Sequence, residues 1–135
     1  MIAAPQTTAT QKKIHSLDDL SELLTMRRLD GQRIVLCHGV FDLLHIGHMR
    51  HLERARSFGD CLVVTVTPDR YVNKGPHRPA FPEALRAEAV AALDCVDYVA
   101  INAWPSAVHT IHLLRPALYV KGADYSEAEK DATGG

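Results

Sequence analysis

The chain has almost no net charge, −1 over 135 residues with histidine neutral, and this removes any global attraction to nucleic acid or to an anionic membrane. A site for a polyanion must therefore be local. Cysteine is scarce: Cys37, Cys61 and Cys95 show no C-x-x-C spacing and lie in or beside apolar runs, which argues for reduced, buried thiols and against a zinc site. No apolar stretch approaches the ~20 residues of a membrane span, and the first residues lack a basic-then-apolar secretory pattern. A cytoplasmic protein with neither nucleic acid nor membrane as partner is expected. Tryptophan occurs once, and lone aromatics such as Trp104 and Tyr125 do not decide between stacking on a base and packing in a core. The length allows one domain with a real core but not two.

Residues 1–14 are polar and aperiodic and read as a disordered tail, leaving 15–135 as the domain. Ser16 with Asp19 forms a capping pair before an amphipathic helix through Leu17, Leu20 and Leu24 that stops before Gly31, and this helix is expected on the domain's edge. Arg33 to Cys37, continuously apolar after its first residue, and Leu62 to Val66, which repeats the pattern, read as strands joined through a helix from His48 to Phe58. A loop from Pro68 to Pro82, rich in cations and breakers, precedes a helix with Leu85, Ala89 and Leu93 on one face. Val96 to Ile101 is a third strand. A helix starting at Pro105 and ending at Pro116 leads to a fourth strand, Ala117 to Val120. Strands alternating with helices predict an α/β fold: a Rossmann-like, doubly wound parallel sheet in three layers with an N-terminal helix.

The most informative stretch is Cys37-His38-Gly39-Val40-Phe41-Asp42-Leu43-Leu44-His45-Ile46-Gly47-His48, which joins a strand to a helix. At such a junction the N–H groups of the first helical turn and the positive end of the helix dipole favour a phosphate. His45 and His48 fall near one face of that turn, and Gly47 between them has no side chain to block a ligand. Spacing alone carries little, since His48/His51 and His109/His112 share it. Gly39 would let the backbone approach a phosphate closely. Asp42 either orients a histidine or caps the turn. Lys121, Gly122, Ala123 and Asp124 follow the fourth strand, at the same sheet edge as Gly39 and His45, with a plain β-turn as the alternative.

The run Gly39 to His48, followed by Leu52, Ala55 and Gly59-Asp60, resembles the signature of the cytidylyltransferase-like nucleotidyltransferases with a His-x-Gly-His motif. The resemblance extends through Pro68-Asp69, Arg86, Val96-Asp97-Tyr98-Val99 and Val120-Lys121-Gly122-Ala123-Asp124-Tyr125. It is strongest toward the branch of heptose 1-phosphate adenylyltransferases and toward the cytidylyltransferase domain fused to the phosphoenolpyruvate phosphomutase of fosfomycin biosynthesis. The implied reaction is attack by an acceptor phosphate or phosphonate on the α-phosphorus of a nucleoside triphosphate, with Mg²⁺ carried by the triphosphate and no dedicated metal site in the protein.

By that resemblance His45, His48 and Lys74 are catalytic. Gly39, Val40, Phe41, Asp42, Arg86, Lys121, Gly122 and Asp124 contact the nucleotide, although Phe41 suits the core better than the site. His77 and Arg78 lie behind Lys74 in the same loop. CTP with 2-hydroxyethylphosphonate is the leading pair, and ATP with a heptose 1-phosphate the alternative. A nucleotide-binding module without turnover is a further reading. Relatives in the family form dimers and continue into a further strand and a segment that contacts the triphosphate. A homodimer, a truncated domain, a complement from another chain and fusion to a second catalytic domain are accordingly expectations here.

Overall fold

The computed structural model describes residues 7–72, 75–76 and 79–121. Strand β1 (Ile34–Gly39) carries no polar side chain before His38, and both its faces are covered. Ile34 and Leu36 join Leu20, Leu24 and Leu114 on one face, while Val35 and Cys37 join Leu52, Ala55, Val90 and Ala91 on the other. An unbroken apolar run is what a parallel strand buried on both sides requires. The sheet is parallel with order β3-β2-β1-β4, where β2 is Cys61–Val66, β3 is Tyr98–Ile101 and β4 is Leu118–Lys121. Helices α1 (Leu17–Leu29) and α4 (Val108–Leu114) cover one face, and α2 (Ile46–Arg56) and α3 (Glu83–Ala91) the other. This is the three-layer, doubly wound α/β fold that the alternating pattern predicts.

Strand order positions the site. The chain steps from β1 to β2 to β3 in one direction, then returns to place β4 on the other flank of β1. A reversal of this kind opens a crevice between the carboxyl ends of the two strands that flank it, here β1 and β4. His38 and Lys121 are register partners there.

Four local expectations change. Within the expected tail, residues 8–14 are ordered against the domain: Gln11–Lys13 form a 3-10 turn, Ile14 bridges to Val99, and Lys13 Nζ donates to the Leu93 carbonyl at 3.1 Å. These contacts span the chain, so local composition did not reveal them. Helix α1 lies on a sheet face rather than the domain's edge, with Leu20 and Leu24 fully buried. Ser16 does cap it, accepting from the Asp19 N–H at 3.1 Å. In α3 the buried residues are Arg86, Ala87, Val90 and Ala91, while Leu85 and Ala89 face solvent. Helix α4 starts three residues later than Pro105, because the buried Asn102 amide donates to the carbonyls of Trp104 and Ser106 and holds that stretch as a loop.

Gly59, behind α2, sits where a Cβ would come within 2.7 Å of the Arg33 carbonyl, so only glycine allows α2 to turn this closely onto β1. Cys37 and Cys61 are free thiols whose burial pushes their pKa up to about 12, which keeps them protonated. Among the described residues no group of three or more His, Cys, Asp or Glu is arranged to hold a metal ion. No helix among them is long and apolar enough to cross a membrane.

Candidate active site

The turn from β1 to α2 is built around a left-handed residue. Phe41 has φ +51°, a conformation that costs a bulky side chain about 1–2 kcal/mol. The residue is nevertheless only 5% exposed and packs in the core with Leu52 and Val66. Gly39 makes that possible, since a Cβ there would lie 3.0 Å from the Phe41 ring. The glycine therefore serves the aromatic ring directly, where the sequence suggested approach to a phosphate. The Gly39 carbonyl accepts from the Thr67 N–H at 2.9 Å, which fastens the turn to the end of β2.

His45 is the N-cap of α2. Its Nδ1 accepts from the Gly47 N–H at 3.0 Å, and the His48 backbone N–H also closes on its ring. In return His48 Nδ1 accepts from the His45 N–H at 3.3 Å. The two imidazoles thus form a reciprocal capping box, with ring centroids 4.0 Å apart. The Phe41 ring stands edge-on to His48 at 5.9 Å.

The consequence is chemical. An Nδ1 that accepts a hydrogen bond carries no proton, so each neutral ring carries its proton on Nε2. The backbone has selected the tautomer that makes both rings N–H donors through Nε2. Amides of the first turn, which the sequence assigned to a phosphate, are in part committed to His45. The donor capacity of the turn has moved to the imidazoles.

The cap of α2 is His45, and Asp42 reaches to the segment before α3. Its carboxylate accepts from the Ala80 N–H at 2.9 Å and the Phe81 N–H at 3.0 Å, pinning the approach to α3 against the turn. Arg86, expected to bind the nucleotide, is 1% exposed in this conformation. Its guanidinium donates to the carbonyls of Phe81, Val40 and Thr67 and to Asp69. Val40 contributes its carbonyl to that group. Lys121 ends β4 across the crevice, exposed and opposite His38. Lys74, Gly122 and Asp124, with His77, Arg78 and Tyr125, lie outside the described residues.

Beneath the turn lies a polar group that sequence reasoning missed. His38 Nδ1 is 2.9 Å from Thr65 Oγ1 and its Nε2 is 3.4 Å from Thr67 Oγ1, with all three residues buried. Burial lowers the His38 pKa from its ordinary value. A signal was present: His38 and Thr65 break two apolar runs at partnered positions.

Comparison with known proteins follows the same lines. The profile of the family described as cytidylyltransferase-like matches residues 36–133. The chain is 42% identical over 123 residues to the bifunctional protein HldE of Geobacter metallireducens, a match covering 90% of this chain and 25% of that protein. It is 45% identical over 116 residues to the HldE of Geotalea uraniireducens, covering 84% of this chain and 24% of that one. It thus spans about a quarter of the length of these relatives. A crystal structure described as the lipopolysaccharide core biosynthesis protein of Thermoplasma volcanium superposes with a TM-score of 0.60 at 28% identity, covering 77% of this chain and 88% of that one. These relatives are HldE proteins and not phosphomutases, so the particular resemblance to the fosfomycin enzyme is not supported. The match of the profile to most of the sequence, over the segment that holds the capped histidine pair, shows that the chain belongs to the cytidylyltransferase-like family of nucleotidyltransferases.

Proposed function

We propose that this chain transfers AMP from ATP to the phosphate of a heptose 1-phosphate, releasing pyrophosphate. The observation that carries the reaction class is the reciprocal cap of His45 and His48, which leaves both imidazoles protonated on Nε2 at the head of a helix. An anionic phosphate oxygen of the acceptor attacks the α-phosphorus, a new P–O bond forms, and the bond to the β-phosphate bridging oxygen breaks. The nucleophile is already ionised, so no general base is required. The demand is alignment, and stabilisation of charge that grows on the α-phosphate oxygens. Two fixed N–H donors meet it.

The choice of substrates is supported by the HldE relatives, which lie with the heptose 1-phosphate adenylyltransferase branch that the motifs resemble. Transfer of CMP to 2-hydroxyethylphosphonate has no comparable support. Magnesium enters on the triphosphate, as part of the substrate. Asp42 and Asp69, carboxylates at this edge of the sheet, are already engaged by backbone N–H groups and by Arg86. Lys74 is assigned to the β- and γ-phosphates and Lys121, Gly122 and Asp124 to the nucleoside, on the strength of the motif. In the relatives the matched segment is about a quarter of a protein named bifunctional, which supports a second catalytic domain as the partner of this one.

The test is pyrophosphate release with Mg²⁺, pairing ATP and CTP in turn with heptose 1-phosphate and 2-hydroxyethylphosphonate, and with His48→Ala as control. Release with ATP and the heptose alone, lost in the variant, is expected. Release with CTP and the phosphonate alone would overturn the assignment.

A further inference from the structure

The geometry points to Arg86 as a positioning residue of the transfer reaction, one that holds the histidine turn and does not touch the nucleotide; this rests on the reading above. The Arg86 side chain is 0% exposed. A buried charge persists only where its hydrogen-bonding capacity is met. Nε donates to the Phe81 carbonyl at 2.9 Å, Nη1 to the carbonyls of Val40 and Thr67, each at 2.8 Å, and Nη2 to Asp69 at 2.6 Å. The four acceptors come from three segments: the turn after β1, the turn after β2, and the approach to α3.

The bond to Val40 is the consequential one. A peptide is planar, so fixing the Val40 carbonyl also fixes the plane of the Phe41 N–H, from which the Phe41 φ of +51° is measured. Phe41 stands edge-on to His48, and His48 caps His45. The guanidinium therefore acts on the two imidazoles through Val40, which it holds, and Phe41, which follows it. Phe81 is gripped twice, its carbonyl by Arg86 and its N–H by Asp42, so the same frame is closed from the other side. Without the guanidinium three carbonyls and a carboxylate lose a donor, and the strained residue loses the anchor that holds it.

Lysine keeps the charge but offers donors from a single point in place of a planar fork, and it cannot serve all four acceptors. With the full chain, MgATP and heptose 1-phosphate, Arg86→Lys should lower kcat about a hundredfold while the KM for ATP moves less than about twofold. In ¹⁵N spectra the imidazoles of His45 and His48 should depart from the pure Nε2–H pattern, whereas His112 on α4 should not change. A raised KM at unchanged kcat would make Arg86 a nucleotide ligand, and unchanged imidazole signals would equally overturn the proposal. Should Arg86→Lys not fold, Asp69→Ala removes the one side-chain acceptor of the guanidinium, whose own side chain is 41% exposed. The same pattern at about tenfold in kcat is then expected, and unchanged kcat with unchanged signals refutes it. If the wild-type chain releases no pyrophosphate, the functional reading fails, yet the imidazole signals of the variants still decide the positioning role.

Discussion

Two assemblies meet at the carboxyl edge of the sheet and are held in opposite ways. The histidine turn closes on itself through bonds between residues two and three positions apart. The Arg86 assembly joins residues 5, 17, 19 and 46 positions apart. The first, a chemical device, makes its own bonds within a single helical turn, and the second sets where that turn sits. The second is a frame that exists only once the sheet has formed. Damage to the device should therefore cost activity and spare stability, whereas damage to the frame should cost some of both.

His48→Ala strikes the device. On the proposed reaction it removes one of two donors for developing charge, and a loss of about 10²–10³ in kcat is expected. The capping bond it also removes is worth about 1 kcal/mol, so the urea midpoint should move only slightly. A large fall in stability would show that the turn is part of the frame and that the comparison is false.

Asp42→Ala strikes the frame from the turn's side. Two charge-assisted bonds to the N–H groups of Ala80 and Phe81 are lost. They are exposed to solvent, which holds the destabilisation to about 1–2 kcal/mol. Activity should fall about tenfold through misplacement of the turn. Amide exchange at Ala80 and Phe81 should quicken at the same time. Activity lost with those amides still protected would mean that Asp42 meets the substrate directly.

The device was legible in the sequence and the frame was not, for a physical reason. His45, Gly47 and His48 announce themselves because each bond that orders them lies within one helical turn. The sheet was legible as well, since a strand covered on both faces must read as an unbroken apolar run, as Ile34 to Cys37 does. Arg86 was noticed, but its place in the frame was not. An arginine near a phosphate site reads as a ligand unless its four acceptors, on three distant segments, are known. His38 was passed over because one polar residue at the end of an apolar strand has no local partner to mark it. Its partner, Thr65, lies 27 positions away.

A pH dependence tests the buried floor of the site. Burial lowers the pKa of His38, and that of His51 on α2, below the ordinary value of about 6.5. The unfolded chain then takes up protons near pH 6.5 that the folded chain refuses. Stability should accordingly be constant above about pH 6.5 and fall as the pH drops below it. His38→Gln keeps a hydrogen-bonding side chain and removes the proton site, so its Tm should decline less steeply between about pH 6.5 and pH 5. Equal slopes in the two proteins would show that His38 takes up its proton as readily folded as unfolded.

The smallest effect belongs to α3, where pattern and structure part. A helical period drawn through leucines and alanines selects Leu85, Ala89 and Leu93, yet Leu85 is 50% exposed, and Val90 on the neighbouring stripe is fully buried. Arg86 is the cause: it occupies the buried stripe, so that stripe reads as polar and the hydrophobic one beside it reads as core. Leu85→Ser should change the stability by no more than about 0.5 kcal/mol. Val90→Ala, the smaller change in polarity, should cost about 2 kcal/mol at constant m-value. A reversal of that order would put Leu85 against the sheet. The guanidinium would then turn toward solvent, and the frame that it closes around the histidine turn would not exist.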